Sequence, residues 1–116
     1  MDAIIATSAL SASYLKREST VVMHGVDIDR YTPPADRAAA FAESGLPGRY
    51  AIGCFGRVRA QKGSDVFVDA MCALLPRYPD FTAIIVGAVT PEQVPFANEL
   101  KKRIEAAGLQ SRIVIT

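Results

Sequence analysis

Apolar and polar residues follow one another along this chain in a pattern that predicts an α/β fold from residue 49 onward. Short apolar runs, typical of buried parallel strands, occupy Tyr50–Phe55, Phe81–Val86 and Arg112–Ile115. Between them, apolar residues at helical spacing predict helices over residues 64–78 and 96–107. Alternation of strands and helices specifies crossover connections, so we expect a parallel three-stranded sheet with flanking helices. This is half of a Rossmann-like doubly wound domain.

The ends of these two helices carry recognisable signals. Ser64 is the predicted N-cap of the first helix, and Asp65 suits the positive end of its dipole. Gly108 is the predicted C′ residue of the second helix, where a left-handed backbone conformation is common.

Residues before position 49 form a less regular pattern. Ala3–Thr7 and Thr20–Met23 are predicted strands, and a helix capped by Ser8 is predicted to run to Arg17 between them. Residues 26–48 contain several prolines and glycines, with one short helix predicted at 36–44. This stretch is the best candidate for a domain boundary.

Length and charge restrict the classes of protein that the chain can represent. It has 116 residues, enough for one modest domain, and a formal net charge of +1 gives no general reason to expect nucleic acid as a partner. No apolar run approaches the ~20 residues that span a bilayer, and Asp2 stands where a signal peptide would carry basic residues. We therefore predict a cytoplasmic chain.

The most informative segment for chemistry lies directly after the first core strand. Gly56 lets the backbone turn and a ligand approach, and Arg57 and Lys62 offer two cations for phosphate oxygens. Gly63 and Ser64 place amides at a helix N-terminus, which favours an anion. A diphosphate clamp and a set of solvated loop charges are both compatible with these residues, and Arg59 is predicted to be only a surface charge.

Other chemistries fail at specific positions. A Walker A motif needs Gly-Lys-Ser/Thr, whereas lysine and glycine stand in the reverse order at Lys62-Gly63-Ser64, and no G-x-G-x-x-G occurs. A flavodoxin-like receiver domain is disfavoured because it would have an acidic cluster after the first core strand, and residues 56–63 contain no acidic residue. His24 is the sole histidine, so a catalytic histidine pair or a multi-histidine metal site is excluded.

Taken together, the motifs resemble those of family 4 glycosyltransferases, which have the GT-B fold. Strand-Gly-Arg-x4-Lys-Gly-helix resembles the opening of their C-terminal domain. Upstream, His24-Gly25-Val26-Asp27 with Tyr31-Thr32-Pro33 matches a second motif, and Ile84-Ile85-Val86-Gly87 matches a third downstream. Within the family, the chain most resembles the lipopolysaccharide-core mannosyltransferases of α-proteobacteria.

The resemblance implies a glycosyltransferase that uses a nucleotide-sugar donor, with GDP-mannose expected, and that needs no metal. Arg57 and Lys62 would bind the diphosphate and stabilise the departing nucleotide, which makes them the catalytic candidates. Gly25, Gly56 and Gly87 are the other candidate donor-binding residues. Val89 departs from the family pattern, which often has glycine there.

The resemblance also implies a domain organisation. Residues 1–19 would end an N-terminal domain, 20–48 would form the inter-domain junction, and 49–116 would be the first half of the donor-binding domain. The family's Glu-x7-Glu segment is missing, so we expect the chain alone to be inactive. The acceptor, lipid-linked or saccharide, would bind the N-terminal domain, and the full-length enzyme could lie at the inner face of the cytoplasmic membrane.

A second hypothesis is a non-catalytic α/β domain. The predicted terminal strand at Ile113–Ile115 would leave an apolar sheet edge unpaired, and such edges promote homo-oligomers. In this interpretation the chain self-associates through its sheet edges and binds no nucleotide.

Overall fold

The computed structural model describes residues 3–116, which divide into two compact units. The boundary lies between Pro33 and Pro34. Residues 1 and 2, which begin the segment predicted to end an N-terminal domain, lie outside the described residues. Among the residues that are described, no helix is both long and apolar enough to cross a membrane.

The first unit is a short strand-helix-strand arrangement. Strand β1 (Ile5–Ala6) pairs in parallel with strand β2 (Thr20–Val21), and helix α1 (Ala9–Ser13) connects them. Ser8 is the N-cap of α1, as predicted, and its Oγ accepts a hydrogen bond from the amide of Ser11 at 3.0 Å. All three elements are shorter than predicted: α1 ends at Ser13 instead of Arg17, and only two residues of each strand find a partner.

The second unit contains a three-stranded sheet in the order β3-β4-β5, with all pairs parallel. This confirms the predicted α/β fold with a parallel three-stranded sheet. Its helices and strands, in chain order, are α2 (Arg37–Glu43), β3 (Tyr50–Phe55), α3 (Ser64–Leu74), β4 (Phe81–Val86), α4 (Val94–Ala106) and β5 (Ile113–Ile115).

The core of this unit lies where α3 and α4 cover the sheet. Side chains from strands, helices and turns join one buried cluster. Each strand contributes residues to it because alternate residues of a strand point to the same face of the sheet. The strands contribute Ala83, Ile85 and Ile113 to this cluster. The helices and adjoining turns contribute Val68, Met71, Leu75, Ala97, Leu100 and Ile104.

Helix α3 ends at Leu74, four residues earlier than predicted. A 3-10 turn over Leu75–Arg77 follows it, because Pro76 has no amide hydrogen with which to continue the α-helical ladder. The guanidinium of Arg112 then donates hydrogen bonds to the carbonyl oxygens of Leu75, Tyr78 and Phe81, at 2.6–2.9 Å. These bonds fix the connection between α3 and β4.

The starts of both core helices differ from the prediction. Ser64 is not the N-cap of α3: Gly63 holds that position with φ 69°, in the left-handed region that favours glycine. Ser64 is instead the first helical residue and is buried, with its Oγ donating to the carbonyl of Arg59 at 3.5 Å. Helix α4 begins at Val94, two residues early, because a 3-10 turn over Pro91–Gln93 leads directly into it.

Candidate functional site

The loops that follow β3 and β4 form one continuous surface at the carboxyl end of the sheet. The amide of Gly56 donates to the carbonyl of Val86 at 3.0 Å, and the amide of Val58 donates to the carbonyl of Ala88 at 3.2 Å. Val58 is itself fully buried. The loop after β3 is therefore anchored on both sides of Arg57, at the edge where parallel sheets bind ligands.

Gly87 makes the close packing of the two loops possible. A Cβ atom at this position would overlap the carbonyl group of Gly56, which is backbone and has no room to move aside. Only glycine therefore fits there. The structure gives Gly87 this packing role, and its predicted contact with a donor stays a prediction.

Gly56 and Lys62, two of the predicted clamp residues, lie next to each other. The backbone of Gly56 has φ 144°, a conformation that L side chains rarely adopt. Three carbon atoms of the Lys62 side chain lie 3.7–3.9 Å from the point where a Cβ of Gly56 would be. The aliphatic stem of Lys62 thus lies over Gly56, beside the anchored loop.

Arg57 is exposed on this surface and has an acidic neighbour that the sequence did not indicate. The pKa of the Glu92 carboxyl is lowered chiefly by a hydrogen bond from the Thr90 side chain, then by its own backbone amide, and also by the charge of Arg57. Glu92 lies in the 3-10 turn after β4, and the hydrogen bonds between the two loops place this turn at the same end of the sheet as Arg57.

Arg59 is not the plain surface charge that was predicted. Its side chain is half-buried, and its Nε is buried with no hydrogen-bond partner among the described residues. The same holds for Oδ1 of Asp65 in the first turn of α3. The turn before Gly63 also fixes the backbone of Arg59, because the carbonyl of Arg59 accepts hydrogen bonds from the Lys62 amide and the Ser64 hydroxyl.

Gly25 belongs to the first unit, apart from the other candidates in the chain. A Cβ placed on Gly25 would meet no atom within 4 Å in the described structure. Neighbouring Val26 and Met23 are exposed as well. Packing among the described residues therefore does not require glycine at position 25, and the donor-binding role of Gly25 stays a prediction.

The residues that the structure describes contain no group of three or more histidine, cysteine, aspartate or glutamate side chains able to hold a metal ion. The site instead offers Arg57, Lys62 and the first amides of α3. The positive end of the helix dipole adds to the two cations. This combination suits an anion with several oxygens, such as a diphosphate.

Comparison with known proteins places this geometry in context. The sequence matches no protein-family model. It is 52% identical over 114 residues to the lipopolysaccharide core biosynthesis mannosyltransferase LpcC of Rhizobium leguminosarum bv. viciae. That match covers 98% of this chain and 32% of LpcC, so the chain spans about a third of the length of this relative.

Several solved structures resemble the fold. The C-terminal domain of the group 1 glycosyl transferase LpcC from Francisella tularensis is 37% identical with a TM-score of 0.75, covering 79% of this chain and 47% of that one. Anabaena HepE in complex with UDP and glucose is 26% identical with a TM-score of 0.78, covering 97% of this chain and 32% of HepE.

These likenesses identify the chain as a homologue of part of a GT-B glycosyltransferase. Within that class it is a relative of the lipopolysaccharide-core mannosyltransferases. The predicted family resemblance and the predicted Rossmann-like fold are both confirmed.

Proposed function

We propose that this chain forms the diphosphate-binding half of the donor site in a glycosyltransferase. The whole protein would be a mannosyltransferase of lipopolysaccharide core synthesis that uses GDP-mannose without a metal. The observation that carries the proposal is the anchored loop after β3, which brings the Lys62 side chain over Gly56 next to the start of α3. A relative of the same class, HepE, has been crystallised with UDP and glucose.

The chemistry of glycosyl transfer explains why such a loop is useful. When the bond between the anomeric carbon and the phosphate oxygen breaks, negative charge develops on the departing nucleoside diphosphate. Arg57 and Lys62 would offset that charge, and because their loop is fixed before the reaction they would need little reorganisation. Gly56 would leave space for the phosphate beside the backbone.

A binding titration tests the proposal. GDP and GDP-mannose, and UDP-glucose for comparison, are titrated calorimetrically into the chain and into Arg57→Ala and Lys62→Ala variants. Loss of one charge-assisted contact should weaken binding of either guanine ligand by about 1.5–3 kcal/mol. Tighter binding of GDP-mannose than of UDP-glucose to the unaltered chain would support a guanine-nucleotide donor.

Arg77→Ala is the matched control. It removes the same charge from an exposed position in the 3-10 turn after α3, at the other end of that helix from the loop. We expect it to leave binding unchanged. If Arg77→Ala weakens binding as much as Arg57→Ala does, general charge and not a site is responsible, and undetectable binding to the unaltered chain would contradict the proposal.

Self-association is the second candidate function, and an exposed aromatic residue favours it. Phe55 ends strand β3, at one edge of the sheet, and 77% of its surface is exposed. An edge strand with an exposed aromatic ring is a site for pairing with a second copy. Sedimentation velocity of the chain and of Phe55→Ser separates self-association from donor binding. A stable dimer that dissociates in the variant is expected only if the chain self-associates through this edge.

A further inference from the structure

We propose that Arg59 is a third cation of the diphosphate site, and that its guanidinium binds phosphate oxygens of the nucleoside diphosphate through two N–H groups. The inference rests on the proposed function, because it names a further residue for the same ligand. It adds to Arg57 and Lys62 a side chain that is partly held in place before the ligand arrives.

The backbone of Arg59 is fixed within the loop that forms the site. Its carbonyl accepts a hydrogen bond from the amide of Lys62 at 3.0 Å and one from the hydroxyl of Ser64 at 3.5 Å. These two bonds join Arg59 to a residue already assigned to the diphosphate and to the first turn of α3. Arg57, the other assigned cation, lies two residues earlier in the same loop.

The loop residues alternate in direction, which places Arg57 and Arg59 on the same side. The amide of Val58 donates to the carbonyl of Ala88, and this bond continues the parallel pairing of β3 and β4 beyond their ends. Side chains alternate along such paired backbone, and Arg59 is itself extended, with φ −162° and ψ 157°. Since Val58 is fully buried in the core, the two arginines leave the loop on its other side, with Cα atoms ~7 Å apart.

The Arg59 side chain is buried along its stem and open at its tip. Its Nε is buried without a hydrogen-bond partner, whereas its two terminal nitrogens are open to solvent. Within residues 3–116, its guanidinium makes no hydrogen bond or ion pair. Burial of the stem restricts its rotamers, so less conformational entropy is lost when the terminal N–H groups bind an anion. A planar fork with free donors matches two oxygens of a phosphate.

The alternative role for Arg59 is an internal ion pair with Asp65, the acidic residue nearest to it in the sequence. Asp65 lies in the first turn of α3, and its Oδ1 is also buried without a partner. In the described part of the chain, no ion pair joins the two side chains. An internal pair would act on stability and would need both partners, whereas a phosphate contact acts on binding and needs only the arginine.

The test is calorimetric titration of GDP into the unaltered chain, Arg59→Gln and Arg59→Lys at low salt. Loss of the charge-assisted contact in Arg59→Gln should weaken binding roughly 10- to 100-fold. Arg59→Lys keeps the charge but loses the planar fork, so it should recover only part of the affinity and stay about two- to tenfold weaker than the unaltered chain. Urea denaturation of each variant checks that the fold is retained.

Two control variants separate a phosphate contact from other effects. Arg77→Gln removes the same charge from the 3-10 turn after α3, at the other end of that helix, and should leave the Kd of GDP unchanged. Asp65→Asn removes the one acidic residue of the first turn of α3. It should not weaken binding, because the proposed contact does not involve this carboxylate.

Each outcome decides the inference. Full recovery of affinity in Arg59→Lys overturns the two-bond contact, and weakening by Asp65→Asn as large as that by Arg59→Gln shows an internal pair instead. Equal weakening by Arg77→Gln also overturns the inference, since the effect is then one of net charge. Unchanged binding in Arg59→Gln, with a loss in Arg57→Ala, overturns it while leaving the diphosphate site intact. If GDP does not bind the unaltered chain, the proposed function itself fails, and this inference fails with it.

Discussion

The two compact units of the chain use similar apolar segments to very different effect. In the first unit, Leu10 and Tyr14 are 67% and 79% exposed, and Ala6 is the one buried residue in its described part. In the second unit, Leu75, Ile85 and Leu100 are completely buried. The first unit and the part of the second unit from β3 to β4 both consist of an apolar strand, a helix and a parallel strand, so the difference does not come from local sequence pattern.

What differs is the number of layers that each unit supplies for its own burial. Strands β3 and β4 pair over six residues each, and two long helices cover the face that they form. Strands β1 and β2 pair over two residues, and α1 has five. Apolar residues in the first unit therefore lack a partner surface among the described residues of that unit, and the free energy of unfolding should depend mainly on the second unit.

The largest expected effect on the free energy of unfolding comes from comparing one leucine of each unit. Leu100→Ala should lower the free energy of unfolding by about 2–5 kcal/mol, because it leaves a cavity in a packed core. Leu10→Ala should change it by less than about 0.5 kcal/mol, since the side chain is exposed. Urea denaturation followed by circular dichroism measures both, and similar losses for the two variants would show that the first unit contributes as much as the second.

The second unit was also the part that could be predicted from sequence. Strands Tyr50–Phe55 and Phe81–Val86 have the predicted bounds, because each apolar run is six residues long and its partner is equally long. Thr20–Met23 was predicted as a strand but pairs only over Thr20–Val21. Strand length depends on the partner as well as on the segment, and β1 offers only two residues.

The candidate site was predictable to the extent that its residues are adjacent in sequence. Gly56, Arg57 and Lys62 lie within one loop, and a motif can place them together. Glu92 lies 35 residues after Arg57 in the sequence, and the charge of Arg57 contributes to the lowered pKa of its carboxyl because the parallel register of β3 and β4 brings the two loops to one end of the sheet. Sequence spacing alone does not reveal such a neighbour, and it also could not show that Gly87 packs against Gly56.

A second comparison of the two units, with a smaller expected effect, uses one glycine from each, Gly87 and Gly25. Both were predicted to bind the donor. Gly87→Ala should lower the free energy of unfolding by about 1–3 kcal/mol, because the new methyl group meets the backbone of Gly56. It should also weaken GDP binding, since the loop that carries Arg57 must move. Gly25→Ala should change neither the free energy of unfolding nor GDP binding through packing, because no atom of the described residues lies within 4 Å of the added methyl group.

Urea denaturation and calorimetric titration of the two variants give both readouts. Loss of GDP binding in Gly25→Ala at unchanged stability would show that this glycine contacts the donor directly. Unchanged stability in Gly87→Ala would contradict the packing role assigned to that residue.

The smallest expected change in stability comes from removing one helix N-cap in each unit. Oδ1 of Asp36 accepts hydrogen bonds from the amides of Ala38 and Ala39 at 2.9 and 3.0 Å, so Asp36→Ala should cost about 1 kcal/mol. Ser8→Ala removes the equivalent bond to Ser11. If the second unit sets the global stability, losing the Ser8 cap frays α1 without shifting the main urea transition. A shift as large as that of Asp36→Ala would mean that the two units unfold together.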